Sequence, residues 1–278
     1  MSYPTPDGLG PYRSMVAVGD SFTEGMCDDV LPDGEYRGWA DRVAERLAAE
    51  AAAAAEPGSS AGAAGGFRYA NLAVRGKLIG QIVAEQVDHA AAMGAELVTL
   101  AGGLNDALRP GCDAEDICAK LGLAAEKLAA GARQVVMFHS TDPSRRMAGG
   151  TRLLPAILRL KAFVTELGER PDIVVVDLFD ARCFDDPRLW ADDRLHLSPE
   201  GHRRVAEAVL QAIGLPASFD WRAPLPAAAP PGRLAKLGGD LRWLGRHLGP
   251  WIGRRLTGRS SGDGRSPKRP ELALYPES

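Results

Sequence analysis

The chain has 278 residues, 45% of them hydrophobic, and a formal net charge of -3 at pH 7. This is enough apolar material for one sizeable core, and a slightly acidic chain is a poor whole-protein partner for nucleic acid. No run of about 18 apolar residues exists to span a membrane, and the start, Met1-Ser2-Tyr3-Pro4, has no secretory pattern, so a cytoplasmic protein is expected.

In chain order, residues 14–19 read as a short buried strand that ends at a glycine. Gly38 to Glu56 reads as a helix with Trp39, Val43 and Leu47 on one face, and Pro57 to Gly66 as a small-residue loop. Phe67 to Ala73 is a second strand and Leu78 to Met93 a helix. Glu96 to Ala101 is a third strand, continuously apolar. Asp113 caps a helix running to about Ala130. Gln134 to Phe138 is a fourth strand, Thr151 to Leu167 a helix and Ile173 to Leu178 a fifth strand. Ser198, followed by Pro199 at the first helical position, opens a last core helix to about Ile213.

Alternating apolar strands and helices call for a parallel sheet covered on both faces. In such sheets ligands sit beyond the C-terminal strand ends. Ser21, Gly76 and Asn105 each follow a strand, and Asp193 and His196 lie in the loop after the fifth, so all point to one edge.

Residues 1–215 therefore form the main domain. Residues 216–231 hold five prolines, the composition of a linker. From Gly232 to Arg269 ten basic residues accompany two acidic ones, about +8, and residues 270–278 add Glu271 and Glu277, which leaves residues 1–231 at about -9. Within 232–256 leucines and arginines interleave at helical spacing, and 257–278 is expected to be disordered. This basic amphipathic extension has three readings: packing on the acidic body, peripheral contact with a membrane surface, or, least favoured, nucleic-acid contact. The four cysteines are Cys27, Cys112, Cys118 and Cys183. They lack metal-ligand spacing, so reduced thiols are expected, with a Cys112–Cys118 bridge as the alternative.

The chemistry-bearing residues are short polar insertions among these elements. Ser21 sits at a strand-to-helix turn, where its hydroxyl can be exposed and its amide can face an oxyanion. Asp193 stands three residues before His196. A carboxylate at that offset can bond Nδ1 and leave Nε2 for the serine. Asp192 is the rival carboxylate, and His202, inside the following helix, is the rival histidine. Asn105 can donate its amide to an oxyanion, and Gly76 can add a backbone N–H where a Cβ would obstruct. Arg145 and Arg146, in the segment after the fourth strand, and Arg75 could attract an anionic substrate. Met26, Cys27 and Trp190 are candidates for lining an acyl pocket.

Gly19-Asp20-Ser21-Phe22-Thr23-Glu24-Gly25, Asn71 to Gly76, Gly103-Leu104-Asn105-Asp106 and Asp193-Arg194-Leu195-His196 together resemble the four blocks of the SGNH (GDSL-type) hydrolases, over roughly residues 14–213. The resemblance implies a flavodoxin-like three-layer α/β/α sandwich with a five-stranded parallel sheet. It implies an esterase, lipase, thioesterase or carbohydrate deacetylase acting on a small-molecule ester without a metal or other cofactor. Ser21 would be the nucleophile, Asp193 and His196 would complete the triad, and Ser21, Gly76 and Asn105 would form the oxyanion hole. Asp20 and Asp106 would hold the turns. Arg75 stands where a small residue is expected beside the oxyanion glycine. An acyltransferase on the same site, or a non-catalytic acyl- or sugar-binding protein, is the alternative.

Overall fold

The computed structural model describes residues 11–54, 66–147, 149–227, 245–246 and 261–276. Nearly all of the Pro57 to Gly66 loop and of the amphipathic segment 232–256 lies outside the described residues. The elements that build the body are β1 (Ser14–Val18), α1 (Ser21–Glu24), α2 (Gly38–Ala53), β2 (Arg68–Asn71), α3 (Ile79–Ile82) and α4 (Asp88–Ala92). They continue with β3 (Leu97–Leu100), α5 (Leu104–Ala107), α6 (Ala114–Ala129), β4 (Gln134–His139), α7 (Leu154–Leu167), β5 (Ile173–Asp177), α8 (Pro199–Ala212) and β6 (Arg269–Leu274).

The sheet order is β5-β4-β3-β1-β2-β6. The first five strands are parallel, in the order of the flavodoxin-like sandwich. Successive strand side chains point to opposite faces, and that alternation divides the interior in two. Met15 and Ala17 join Trp39, Val43 and Leu47 of α2 and Val205 and Val209 of α8. Val16 and Val18 join Ile79 and Ile82 of α3, Ile117 and Leu121 of α6 and Val164 of α7. Both faces are covered, as a parallel sheet requires. Helix entry follows the sequence signals: Asp113 accepts from the Glu115 and Asp116 amides, and Ser198 accepts from the Gly201 amide. The helix expected over Leu78 to Met93 is present but interrupted. A π-turn at Val83–Val87 separates α3 from α4.

Two expectations are corrected. The proline-rich stretch 216–231 is not a free linker at its start, because Trp221 is buried. Its indole N–H donates to Gln211 Oε1 at 2.8 Å, and Arg204 Nη1 donates to its carbonyl at 2.8 Å. The larger correction concerns residues 261–276. They are not disordered, because they return to the body and add β6, antiparallel, to the outer edge of β2. Pro270 lies in this strand, where a missing N–H is tolerated because the strand is an edge. Just before it, Lys268 is nearly inaccessible, its side chain 3% exposed. Its ammonium donates to the carbonyls of Glu24 (2.8 Å), Tyr36 (2.7 Å) and Arg37 (3.1 Å) and to Asp41 Oδ2 (2.5 Å). One charge thus ties the end of α1 and the start of α2 to the sixth strand.

Among the described residues no helix is long and apolar enough to cross a membrane. The four cysteines are free.

Lys268→Met should lower the unfolding free energy by about 3–5 kcal/mol, because it strands the buried Asp41 carboxylate and three carbonyls. The double variant with Asp41→Asn should lose less than the sum of the single losses. Denaturant melts of the four proteins of this cycle check it; strictly additive losses would argue against the latch.

Candidate active site

The turn after β1 is built by close packing. A Cβ on Gly19 would lie 2.5 Å from Thr23 Oγ1 and 2.6 Å from the Ala101 carbonyl. Only glycine lets α1 begin this close to β3. The Gly19 peptide is then locked on both sides by Gln86. Its N–H donates to Gln86 Oε1 at 2.8 Å, and Gln86 Nε2 donates to its carbonyl at 2.9 Å. Gln86 belongs to the π-turn and is buried. Asp20 caps α1 through Phe22 N (3.0 Å). Burial pushes the Asp20 carboxyl up to about 6, against the pull of that amide.

Ser21 is the first residue of α1 and is almost buried. Its Oγ lies 2.9 Å from His196 Nε2. His196 Nδ1 lies 2.5 Å from Asp193 Oδ2. The other carboxylate oxygen accepts from the amides of Leu195 and His196, each at 2.9 Å. The three-residue offset therefore closes a turn in which the carboxylate holds both the backbone and the ring of the same histidine. Arg194 takes a left-handed conformation inside it (φ 59°). Arg146 pins the turn from outside: its guanidinium stacks 3.3 Å from the Trp190 ring centroid and donates to the Arg194 carbonyl at 2.7 Å.

Electrostatics follow from this geometry. Burial alone would raise Asp193, but the His196 bond and charge and the two amides outweigh it and hold the carboxyl well below the usual range. Burial alone would lower His196. The Asp193 bond, with help from the Cys27 thiol, outweighs it and raises the imidazolium to about 9. His202 contrasts with it. Burial pushes it down to about 4, and its Nε2 donates to the Met26 carbonyl at 3.1 Å. It is therefore a neutral core histidine.

Asn105 Nδ2 donates to Asp20 Oδ2 and to the Lys77 carbonyl, each at 3.1 Å. The second bond brings the Gly76–Lys77 corner to Asn105. Gly76 has φ 76°, a left-handed value that glycine takes without strain. Among the described residues neither the Ser21 N–H nor the Gly76 N–H has an acceptor in the protein. Buried N–H groups are seldom left so. Asn71 steadies the same loop, donating to the Thr23 carbonyl and the Tyr69 hydroxyl at 3.0 Å and accepting from Ala73 N at 3.1 Å. Asp106 accepts from Ile79 N at 2.9 Å and so fixes the start of α3.

The structure brings Ser21, Asn105, His196, Met26, Trp190 and Arg146 to one pocket. Gly76, Arg75 and Arg145 are not among the residues that line it. Arg75 is buried against Glu24, with Nε donating to Oε1 at 2.8 Å and its amide to Oε2 at 2.5 Å. That pairing accounts for an arginine beside Gly76, and it removes Arg75 as a substrate-attracting group. Arg145 is exposed beside Asp142 at 3.7 Å. Sequence reasoning did not find Gln86, or Glu24 as the partner of Arg75. Opposite charges in the Ser21 and Gly76 blocks were the available signal for the second. Cys27, expected in an acyl pocket, does not line this one; its Sγ lies 3.9 Å from Asp193 Oδ2 instead. The ligand atoms of Cys27, Asp193 and His196 fall within 4.8 Å of one another, so a thiophilic cation there would compete with the Asp193–His196 bond.

The model of the GDSL-like lipase/acylhydrolase family matches residues 17–204, which span β1 to α8 and every residue of this site. The chain belongs to that family. It is a carboxylic ester hydrolase. No curated protein sequence matches it. Among solved structures, the chain is similar to the acetylxylan esterase Axe2 from Geobacillus stearothermophilus, with 18% identity, 77% of this chain and 97% of that chain covered, and a TM-score of 0.57. It is also similar to LAE5, an alpha/beta hydrolase from the metagenome of Lake Arreo, Spain, with 19% identity, 73% and 96% covered, and a TM-score of 0.56. Both share the fold.

Gln86→Leu should leave the Gly19 N–H without its acceptor and the Gly19 carbonyl with only the Val74 amide at 3.3 Å, and so loosen the Ser21 turn. A loss of about 1–3 kcal/mol from each unpaired buried group should appear partly as a kcat reduced by about tenfold, with KM little changed. Steady-state kinetics on an aryl ester check this; unaltered kcat would show that Gln86 serves stability alone.

Proposed function

We propose that the hydrolase works through a Ser21–His196–Asp193 triad and a covalent acyl-enzyme. What carries this reading is the unbroken hydrogen-bond relay from Asp193 Oδ2 through the His196 ring to Ser21 Oγ. The free N–H groups of Ser21 and Gly76 on the same edge support it. So do solved catalytic mutants of Axe2, which replace a serine, an aspartate and a histidine, the last two spaced by three residues.

Ser21 Oγ attacks the ester carbonyl carbon while its proton passes to His196 Nε2. The carbonyl oxygen becomes an oxyanion received by the Ser21 and Gly76 amides and by Asn105, which shares an N–H now given to Asp20 or to the Lys77 carbonyl. The carbon–oxygen bond to the alcohol breaks, and His196 returns the proton to the leaving alkoxide. Water then gives a proton to His196 and attacks the acyl carbon. Ser21 leaves and recovers its proton, and the acid is released. Asp193 stays ionised throughout and stabilises the imidazolium.

Ser21→Ala should lower kcat on an aryl ester by on the order of 10⁴–10⁶-fold with an unchanged melting curve. A fluorophosphonate should label the parent protein at Ser21, read by peptide mass spectrometry, and should leave the variant unlabelled. Full turnover by the variant would end the reading.

The pH dependence has a defined sign. Only neutral His196 accepts the serine proton, so kcat/KM should rise with pH from about 6.5 toward the raised value of about 9. Folding stability runs the other way, because the bond between the imidazolium and Asp193 contributes fully below about 6.5 and is lost as pH rises through about 9. A kcat/KM profile already flat from pH 6.5 upward would contradict the charge balance described for the pair.

A further inference from the structure

We infer that this hydrolase selects esters of medium-chain acids, with the acyl chain seated in an apolar cleft beside Ser21. The inference rests on the catalytic reading above and adds the identity of the acyl group. The pocket that holds Ser21 and His196 does not stop at them. It continues under α7, over the C-terminal ends of β3 and β4, and the whole pocket, the part beside Ser21 included, has a volume of about 140 Å³. Leu108, Leu121, Met137, Ile157, Leu160 and Val164 line it, drawn from the loop after α5 and from α6, β4 and α7.

Close-packed interiors do not keep such a space without cause, since a void forfeits contacts on every wall. Two polar side chains that reach the cavity, His139 and Lys161, are bonded within the protein, whereas Ser140 and Thr141, after β4, keep hydroxyls without a partner among the described residues. His139 Nδ1 faces Asp177 Oδ1 at 3.1 Å, and its Nε2 faces Thr165 Oγ1 at 3.1 Å. Lys161 Nζ donates to Asp180 Oδ2 at 2.6 Å. Beside the six apolar side chains a sugar would lose water without gaining partners, whereas a hydrocarbon chain would lose nothing. Apolar cavities of about 150 Å³ take up a benzene-sized guest, so the space fits a chain of roughly six carbons.

The chemistry decides which side of the ester enters. The acyl group stays bonded to Ser21 while the alcohol departs and water arrives. An enclosed apolar space suits the part that stays, and the open mouth suits the part that exchanges. An acetyl group would leave the cleft empty.

The test uses the full chain and two ester series. With p-nitrophenyl esters of increasing acyl length, kcat/KM should climb from acetate to hexanoate or octanoate by at least about tenfold, since each buried methylene contributes about 0.8 kcal/mol, and should fall again at palmitate. With acetate esters of increasing alcohol length it should stay flat. Leu160→Trp, which fills part of the cleft, should move the optimum to shorter acids. A parent optimum at acetate, or a rise with alcohol length alone, overturns the inference. A second readout needs no turnover. Calorimetry on the Ser21→Ala protein should give hexanoate at least about tenfold tighter binding than acetate, and equal binding overturns the inference. Selective binding without hydrolysis by the parent would instead remove the catalytic reading and leave the cleft.

Discussion

A half-buried imidazole beside a half-buried carboxylate is unfavourable unless the two are bonded, and the site depends on that bond. Burial works against the charge on Asp193 and on His196 alike. The pair offsets this by sharing one short hydrogen bond while the carboxylate also takes two backbone amides. The same arrangement decides geometry. With Nδ1 committed to Asp193, Nε2 has one direction left, and Ser21 Oγ lies in it. Removing the carboxylate would cost both the charge balance and the aim.

The side that carries the Ser21 and Gly76 amides poses the opposite problem. There the chain has to leave N–H groups without acceptors, which is unfavourable in any interior. It does so by over-determining everything around them. Gly19 is held by Gln86, Asn105 by Asp20 and the Lys77 carbonyl, and Arg75 by Glu24 on both its side chain and its amide. Each flanking peptide has a partner, so Ser21 N and Gly76 N stay poised rather than folding back onto a nearby carbonyl. Asp20 shows the strain of this crowding. Burial raises it to about 6, so it keeps its full acceptor capacity only above that pH.

Much of this was legible because it is local. Four of the five parallel strands, β1, β3, β4 and β5, are built on apolar runs, while β2 is Arg68-Tyr-Ala-Asn71. The caps at Asp113 and Ser198 are short-range hydrogen bonds. The offset from Asp193 to His196 is a turn of the chain on itself. What escaped reading is long-range. Gln86 reaches Gly19 across 67 positions, and Glu24 reaches Arg75 across 51. No local pattern encodes such a meeting. Arg269-Pro-Glu-Leu-Ala-Leu274 carries charges and a proline that argue for loop. It becomes a strand only because the edge of β2 is there to pair with it.

That sixth strand changes how the active site is held. The family match ends at residue 204, so β6 lies beyond it. Without β6, β2 would be an open edge carrying unpaired backbone groups, and the loop leading to Gly76 starts at the end of β2. The returning segment also reaches that loop directly. A Cβ on Gly262 would lie 2.0 Å from the Arg75 carbonyl, so the two backbones touch. Lys268 then binds the Glu24 carbonyl, at the end of the short helix that Ser21 begins. The helix that Ser21 begins and the Gly76 loop thus share one clamp, supplied by residues 262–274 from beyond the family match.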